Sequence, residues 1–307
     1  MRKAFVRALV ELARIDPGLV LLTADLGYMV LEDFADAHPE RFFNVGVAEA
    51  NMIGLATGLA ASGLTPYVYS IVPFATMRGY EQIRNGPVLH NLAVRIVGVG
   101  GGFGYGAGGI THHGLEDLSI TRVQPGLRVL APADSEQAYQ AVVQTHALPG
   151  PTYFRLGKRD DGILPGLNGE FTLGKLQIIR DGLALLFVCL GSISGEVLKA
   201  AEILDSKRIS SMIAVVSSLR PAPTEQLLEL MAGFSQVITV EEHYLDGALG
   251  SLVCELVAEN GIPCRVTRLG VVRPIPEKCG SESYLRTLHG LDAEGIARVA
   301  AKSCRSI

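Results

Sequence analysis

Glu49 opens a run of small residues, among them Gly54, Ala56, Thr57, Gly58, Ala60 and Ala61, that stops at Ser62-Gly63. Side chains this small let a second helix pack closely, so the run reads as a helix suited to a subunit interface. An acid at its start has two readings. It can be stabilised by the positive end of the helix dipole and do nothing more, or it can hold a proton where chemistry needs one. A second candidate is the stretch Gly98–Gly109. Gly104, Gly106 and Gly109 match G-x-G-x-x-G, the spacing with which backbone approaches a dinucleotide pyrophosphate. The first strand of the unit lies elsewhere, however, and no acid ends a following strand about 20 residues on, as that fingerprint requires. A loop that passes close to a ligand or another subunit explains these glycines better. The five cysteines, Cys189, Cys254, Cys264, Cys279 and Cys304, include no C-x-x-C pair. Neither a zinc knuckle nor a disulfide framework follows, and buried, reduced thiols are expected.

The elements that would position these residues alternate regularly. Phe5, Leu9 and Leu12 recur at helical spacing until Asp16-Pro17-Gly18 stops them. Residues 19–23 form a short continuous apolar run, as a buried parallel strand should. The small-residue helix spans 48–61, and a strand near 66–70, a helix near 76–89 and a strand at 94–99 follow. After the glycine-rich loop come a strand at 128–130, a helix at 135–145 with Ser135 as a plausible cap, and a strand at 152–156. Residues 158–169 are polar and glycine-rich and begin a linker. Beyond it lie strands at 183–190, 212–217, 237–240 and 265–269, with helices at 195–204, 224–232 and 248–260. This order predicts an α/β chain of two doubly wound domains, each with a mostly parallel sheet flanked by helices. The expected limits are 1–168, a linker at 169–176, and 177–307.

Composition narrows the function. The chain has 307 residues, 48% of them hydrophobic and 19% charged, with a net charge of −4. Mean hydropathy is +0.30. Soluble proteins carry about 25% charged residues, so this chain is expected to bury surface against other chains. The apolar content rules out disorder. The longest apolar run, 183–190, is far short of the roughly 20 residues that span a bilayer. No signal-peptide core follows Met1, so a cytoplasmic location is expected. No basic footprint indicates nucleic acid, and no polybasic patch indicates a membrane surface.

Several ordered motifs then converge. Phe43-Asn44-Val45-Gly46-Val47-Ala48-Glu49 is followed by Tyr67 to Asn85, which contains Phe74, Arg78, Tyr80 and Gln82. Next come Gly108-Gly109-Ile110-Thr111-His112-His113-Gly114, Ala131-Pro132-Ala133-Asp134 and Val240-Glu241-Glu242-His243. Together, from Arg2 to about Pro274, they resemble the transketolase family, specifically the C-terminal half of a thiamine-diphosphate enzyme. That half holds the pyrimidine-binding domain and the transketolase C-terminal domain. The resemblance implies transfer of a two-carbon ketol or related acyl unit from a ketose or keto donor to an aldehyde or ketone acceptor.

The same resemblance gives residues their tasks. Glu49 matches the glutamate that hydrogen-bonds N1′ of the aminopyrimidine and favours its imino tautomer. Phe74 matches the aromatic that stacks on that ring, although alone it would read as plain core. Asp25 and Arg78 are implied as further cofactor contacts. His112 matches the histidine near the reacting carbon, able to donate to a developing alkoxide or act as acid or base. His113, Arg155 and Lys158 are implied as substrate contacts, the last two as anion binders at the mouth. The remaining histidines, including His38, His90, His146 and His289, are expected on solvated faces or helix ends. No G-D-G…N motif occurs, so the diphosphate and Mg²⁺ are expected mainly on a separate N-terminal-half subunit. Thiamine diphosphate would lie across that interface, in a dimer of heterodimers.

Three positions depart from the phosphosugar pattern. Gly108 replaces an aspartate, Gly100 aligns with a phosphate-binding histidine, and Met29 aligns with a phosphate-binding serine. These departures imply a specialised substrate, such as an unphosphorylated or nucleotide-linked sugar. Two rivals remain. One is the beta subunit of a 2-oxo-acid dehydrogenase, and the other is a non-catalytic pseudo-subunit, against which the retention of Glu49, Phe74 and His112 argues.

Overall fold

Short runs of β-branched and leucine residues become strands that are buried on both faces. The computed structural model describes residues 1–159, 162–272 and 278–304. Asp160 and Asp161, in the expected linker, and Pro274, at the far end of the resemblance, lie outside them. The first sheet takes β1 (Leu19–Thr23), β2 (Phe42–Asn44), β3 (Thr65–Ile71), β4 (Arg95–Val99), β5 (Arg128–Leu130) and β6 (Thr152–Leu156). The second takes β7 (Leu176–Arg180), β8 (Leu185–Leu190), β9 (Ser211–Val216), β11 (Gln236–Tyr244) and β12 (Arg265–Val271). Between β9 and β11, β10 (Ser218–Arg220) crosses back into the first sheet.

The first sheet has the order β10-β5-β6-β4-β3-β1-β2 and the second β12-β11-β8-β9-β7. Among the described residues, only β10 and β7, at sheet ends, run antiparallel to their neighbours. Every residue of β1, β4, β6, β8 and β11 is buried. Helices cover both faces, as parallel sheets require. The expected α/β class and its two mostly parallel sheets are therefore present.

The differences from the sequence reading have local causes. The apolar run at 183–190 starts its strand only at Leu185, because Leu183 is 89% exposed. Residue 176, expected to end a linker, opens β7, an edge strand whose half-buried Leu-Gln-Ile-Ile-Arg pattern lacks an apolar signal. The helix expected over 76–89 is broken into a π-turn at Phe74–Arg78, an α-turn at Tyr80–Ile83 and a π-turn at Arg84–Val88. Pro87 inside the last of these donates no backbone hydrogen bond. The helix at Ser135–Thr145 is capped by Asp134, whose carboxylate accepts from Gln137 N–H. Ser135 instead accepts from the N-terminal ammonium of Met1 at 2.9 Å. Of the cysteines only Cys189 is buried, and Cys279 is exposed; all five are free thiols.

The two sheets are tied together through β11. Its Tyr244 N–H donates to Leu115 O at 3.0 Å, and Phe103 N–H donates to Glu242 Oε1 at 3.4 Å. Gly102, at φ +65°, makes that approach possible, since a Cβ there would lie 2.5 Å from the Glu242 carboxyl. The glycine-rich loop thus packs against its own second unit. His243 is fully buried in this seam, with Nδ1 donating to Tyr244 O at 2.7 Å. Desolvation pushes the imidazole down to about 4. Desolvation also pushes the neighbouring Glu241 carboxyl up to about 7, against the pull of the Gly250 and Leu249 N–H groups.

His243 is neutral in the fold and binds a proton near pH 6.5 when unfolded. Its contribution is therefore complete above about pH 6.5 and is lost as pH falls toward 4, on the order of 3 kcal/mol in all. Glu241 acts in the opposite sense, losing stability as pH rises from about 4.5 toward 7. Comparison with a variant isolates the histidine. His243→Asn, which keeps a donor for Tyr244 O, should show a smaller loss of stability between pH 7.5 and pH 5 in urea titrations. An identical loss in both proteins excludes His243 as its source.

Candidate active site

Glu49 lies at the first turn of the helix Glu49–Ala61, reached through a short polar hinge. Asn44, ending β2, accepts from the Gly46 N–H and the Asp25 N–H, each at 3.0 Å, and donates to Asp25 Oδ1. These bonds set the direction in which the chain enters the helix. Glu49 is 2% exposed, yet its carboxylate has polar partners. Ser70 Oγ donates to Oε1 at 3.3 Å, and Arg78 Nη1 donates to Oε1 at 3.2 Å and Oε2 at 3.0 Å.

The π-turn Phe74–Arg78 brings the rest of the group together. Arg78 Cζ lies 3.9 Å above the centre of the Phe74 ring. The His112 ring meets Phe74 edge-on, 5.1 Å between centres and 67° between planes. Thr111 Oγ1 lies 2.9 Å from His112 Nδ1 and fixes that ring, leaving Nε2 for other partners. Glu49, Phe74, Arg78 and His112 are therefore brought together in one connected cluster.

A cavity of about 760 Å³ opens beside it, lined by Arg2, Tyr105, His112, Lys158, Arg159 and Glu282, and by the backbone of Gly104–Gly108. Lys158 Nζ stands 4.3 Å over the Tyr105 ring. Arg159 pairs with Glu282 at 3.3 Å, whereas no carboxylate among the described residues pairs with Arg2 or Lys158. Burial pushes the Tyr105 phenol up, and the charge of Arg2 opposes it. Lys158 thus faces the cavity as expected, while Arg2 and Tyr105 carried no sequence signal. Arg2 is one of several basic residues in an amphipathic first helix, and Tyr105 is a lone aromatic among glycines.

Two expected contacts are placed differently. Arg155 is not an anion binder at the mouth: its side chain is 7% exposed and pairs with Asp117 at 3.1 Å. Its Nη2 also donates to Gly114 O at 2.7 Å and Glu242 O at 2.9 Å. His113 does not face the cavity. It is 1% exposed, its Nε2 donates to Gly106 O at 3.2 Å, and its ring stands edge-on to Phe103. The histidines expected on solvated faces include His146, which is buried between Tyr67 and Asp16, and His289, which stacks on Phe103. Asp25 is exposed, outside the cavity, and its carboxyl is held low by Asn44 and Tyr28. Among the described residues, no group of three or more His, Cys, Asp or Glu side chains could hold a metal ion.

Comparison with known proteins decides the family. Residues 1–161 match the transketolase pyrimidine-binding domain, and residues 174–296 match the transketolase C-terminal domain. The chain belongs to the transketolase family. It is 36% identical over 301 residues to a putative transketolase C-terminal section of Methanocaldococcus jannaschii, covering 97% of this chain and 94% of that one. It is 33% identical to an apulose-4-phosphate transketolase subunit of Phocaeicola vulgatus, covering 97% and 96%. A solved split-gene transketolase, described as an inactive beta4 tetramer, superposes with a TM-score of 0.89 at 34% identity, covering 99% of this chain and 98% of that one. Against 1-deoxy-D-xylulose-5-phosphate synthase of Syntrophus aciditrophicus, 34% identical, it spans only 46% of the length. Its full-length matches are thus to chains named as a section or a subunit of a split transketolase. No helix among its described residues is long and apolar enough to cross a membrane.

The placement of Arg155 gives a prediction. Arg155→Met leaves Asp117, 1% exposed, without its cation. Breaking a buried pair from one side costs about 3–5 kcal/mol, measurable by urea unfolding. Adding Asp117→Asn should restore part of the loss. A variant of wild-type stability would return Arg155 to the list of substrate contacts.

Proposed function

We propose that this chain is the C-terminal-half subunit of a thiamine-diphosphate-dependent transketolase that moves a two-carbon ketol unit between sugar-like substrates. An N-terminal-half partner would carry the diphosphate and Mg²⁺, and two such pairs would form a dimer of heterodimers. The supporting observation is what already fills the space between Glu49 and Phe74. A flat guanidinium lies on the phenyl face while its N–H groups reach the buried carboxylate. An aminopyrimidine is also flat, and with N1′ protonated it presents an N–H on the edge that would face the carboxylate, so the same two residues fit it.

When bound, the cofactor supplies the carbanion that attacks a carbonyl. The chain's own residues do the rest. Glu49 holds a proton at N1′ and so sets the tautomer of the ring. Phe74 fixes the ring plane. Arg78, 47% exposed, would have to turn from the carboxylate to admit the ring. Asp25, ionised at the end of β1, offers a negative charge to the cationic part of the cofactor across the subunit boundary. His112, held at Nδ1 by Thr111, presents Nε2 to the oxygen that gains charge in the addition. Arg2 and Lys158 receive an anionic end of the substrate. Gly108, which bears no side chain, leaves the wall beside His112 bare. That suits the unusual sugars named for the apulose-4-phosphate and 6-deoxy-6-sulfo-D-fructose transketolase subunits among the relatives.

With the partner subunit present, Glu49→Gln should lower transfer activity by at least about two orders of magnitude, a typical share for acid–base catalysis. The complex should still elute at wild-type size in gel filtration. Full activity in the variant excludes Glu49 as the group that sets the cofactor tautomer.

A further inference from the structure

We propose that Tyr105 determines specificity, selecting substrates with an anionic far end by holding Lys158 in place. The inference rests on the functional reading above and concerns its substrate cavity. Tyr105 lies flush on the end of β4. A Cβ added at Gly100, which has φ +79°, would sit 2.1 Å from Tyr105 Cδ2 and 2.4 Å from Cε2. The ring therefore occupies volume that any other residue at position 100 would take. Position 100 is glycine and residue 105 is aromatic for one shared reason.

The ring then does two things. Its face carries the Lys158 ammonium at 4.3 Å. Its body lines the same cavity as His112, Arg2 and Lys158. A lysine on four rotatable bonds would otherwise sample many positions, and fixing it beforehand removes that cost from binding. The Arg2 guanidinium is placed on the same side, its Nε donating to Lys158 O at 2.8 Å. The result is a preset pair of positive charges. A carboxylate, sulfonate or phosphate would pair with them, and a neutral hydroxyl would leave them desolvated and unpaired. The attraction of the ammonium to the ring needs only the aromatic face, so the phenol is dispensable and the ring is not.

The test is binding to the purified full chain, with D-ribose 5-phosphate and D-ribose as an anionic and a neutral probe of one shape. Titration calorimetry or ligand-observed NMR at low salt gives the ratio of their affinities. Tyr105→Phe should keep the wild-type ratio. Tyr105→Leu should lower it by about fivefold or more, mainly by weakening the phosphate ester. Gly100→Ala, which displaces the ring and leaves tyrosine in the sequence, should lower it similarly. Circular dichroism and thermal melting identify any variant that has lost its fold, and Tyr105→Leu carries the test if Gly100→Ala is lost. A wild-type ratio in folded Tyr105→Leu overturns the role of Tyr105 and leaves the anion-binding cavity standing. Equal affinity of wild-type chain for the two probes overturns the cavity reading, and this inference with it.

Discussion

The guanidinium of Arg155 is the point on which the architecture turns. It sits on β6 of the first sheet, pairs with Asp117, and donates to Gly114 and to Glu242 of β11. One side chain thus joins the first sheet, the exit of the glycine-rich loop and the second sheet. Its neighbours are polar and almost wholly buried: Tyr153 donates to Asp117 at 2.7 Å, and Glu242 pairs with Arg286 at 2.8 Å. Groups so buried tolerate little displacement, because each loses a partner it cannot replace with water. The loop that carries His112 takes its position from this network.

Rigidity on one side of the site contrasts with adjustability on the other. His112 is held through its loop by the seam between the sheets. Glu49 and Phe74 depend on a helix start and a π-turn, and the arginine between them is nearly half exposed. π-turns interrupt regular helix pairing and are common at functional sites. On the functional reading proposed above, the fixed half would position a reacting substrate and the looser half would receive a flat ring.

Much of this was legible in the residues. Buried parallel strands announce themselves as unbroken apolar runs, and nearly every such run became a strand. Glu49, Phe74, Arg78 and His112 were recognisable as one group because their motifs are ordered along the chain. Lys158 was recognisable as a cavity residue on the same basis. The structure was needed where charge is used internally. Arg155 and His113 look like ligand contacts in sequence, but acceptors 41 or more residues away, or a backbone carbonyl in the same loop, consume their hydrogen bonds. The edge strand β7 was missed because its residues face water on one side. Tyr105 was missed because its meaning depends on a glycine five positions earlier that leaves room for it.

The crossing of β10 has a consequence for how such enzymes can be rearranged. The strand lies in sequence beyond the connecting segment, between two strands of the second sheet, but it completes the first sheet beside β5. A gene cut at the connecting segment would give a first module with an open sheet edge and a second module with a stray strand. The two units therefore cannot be shuffled independently, as beads on a string can be.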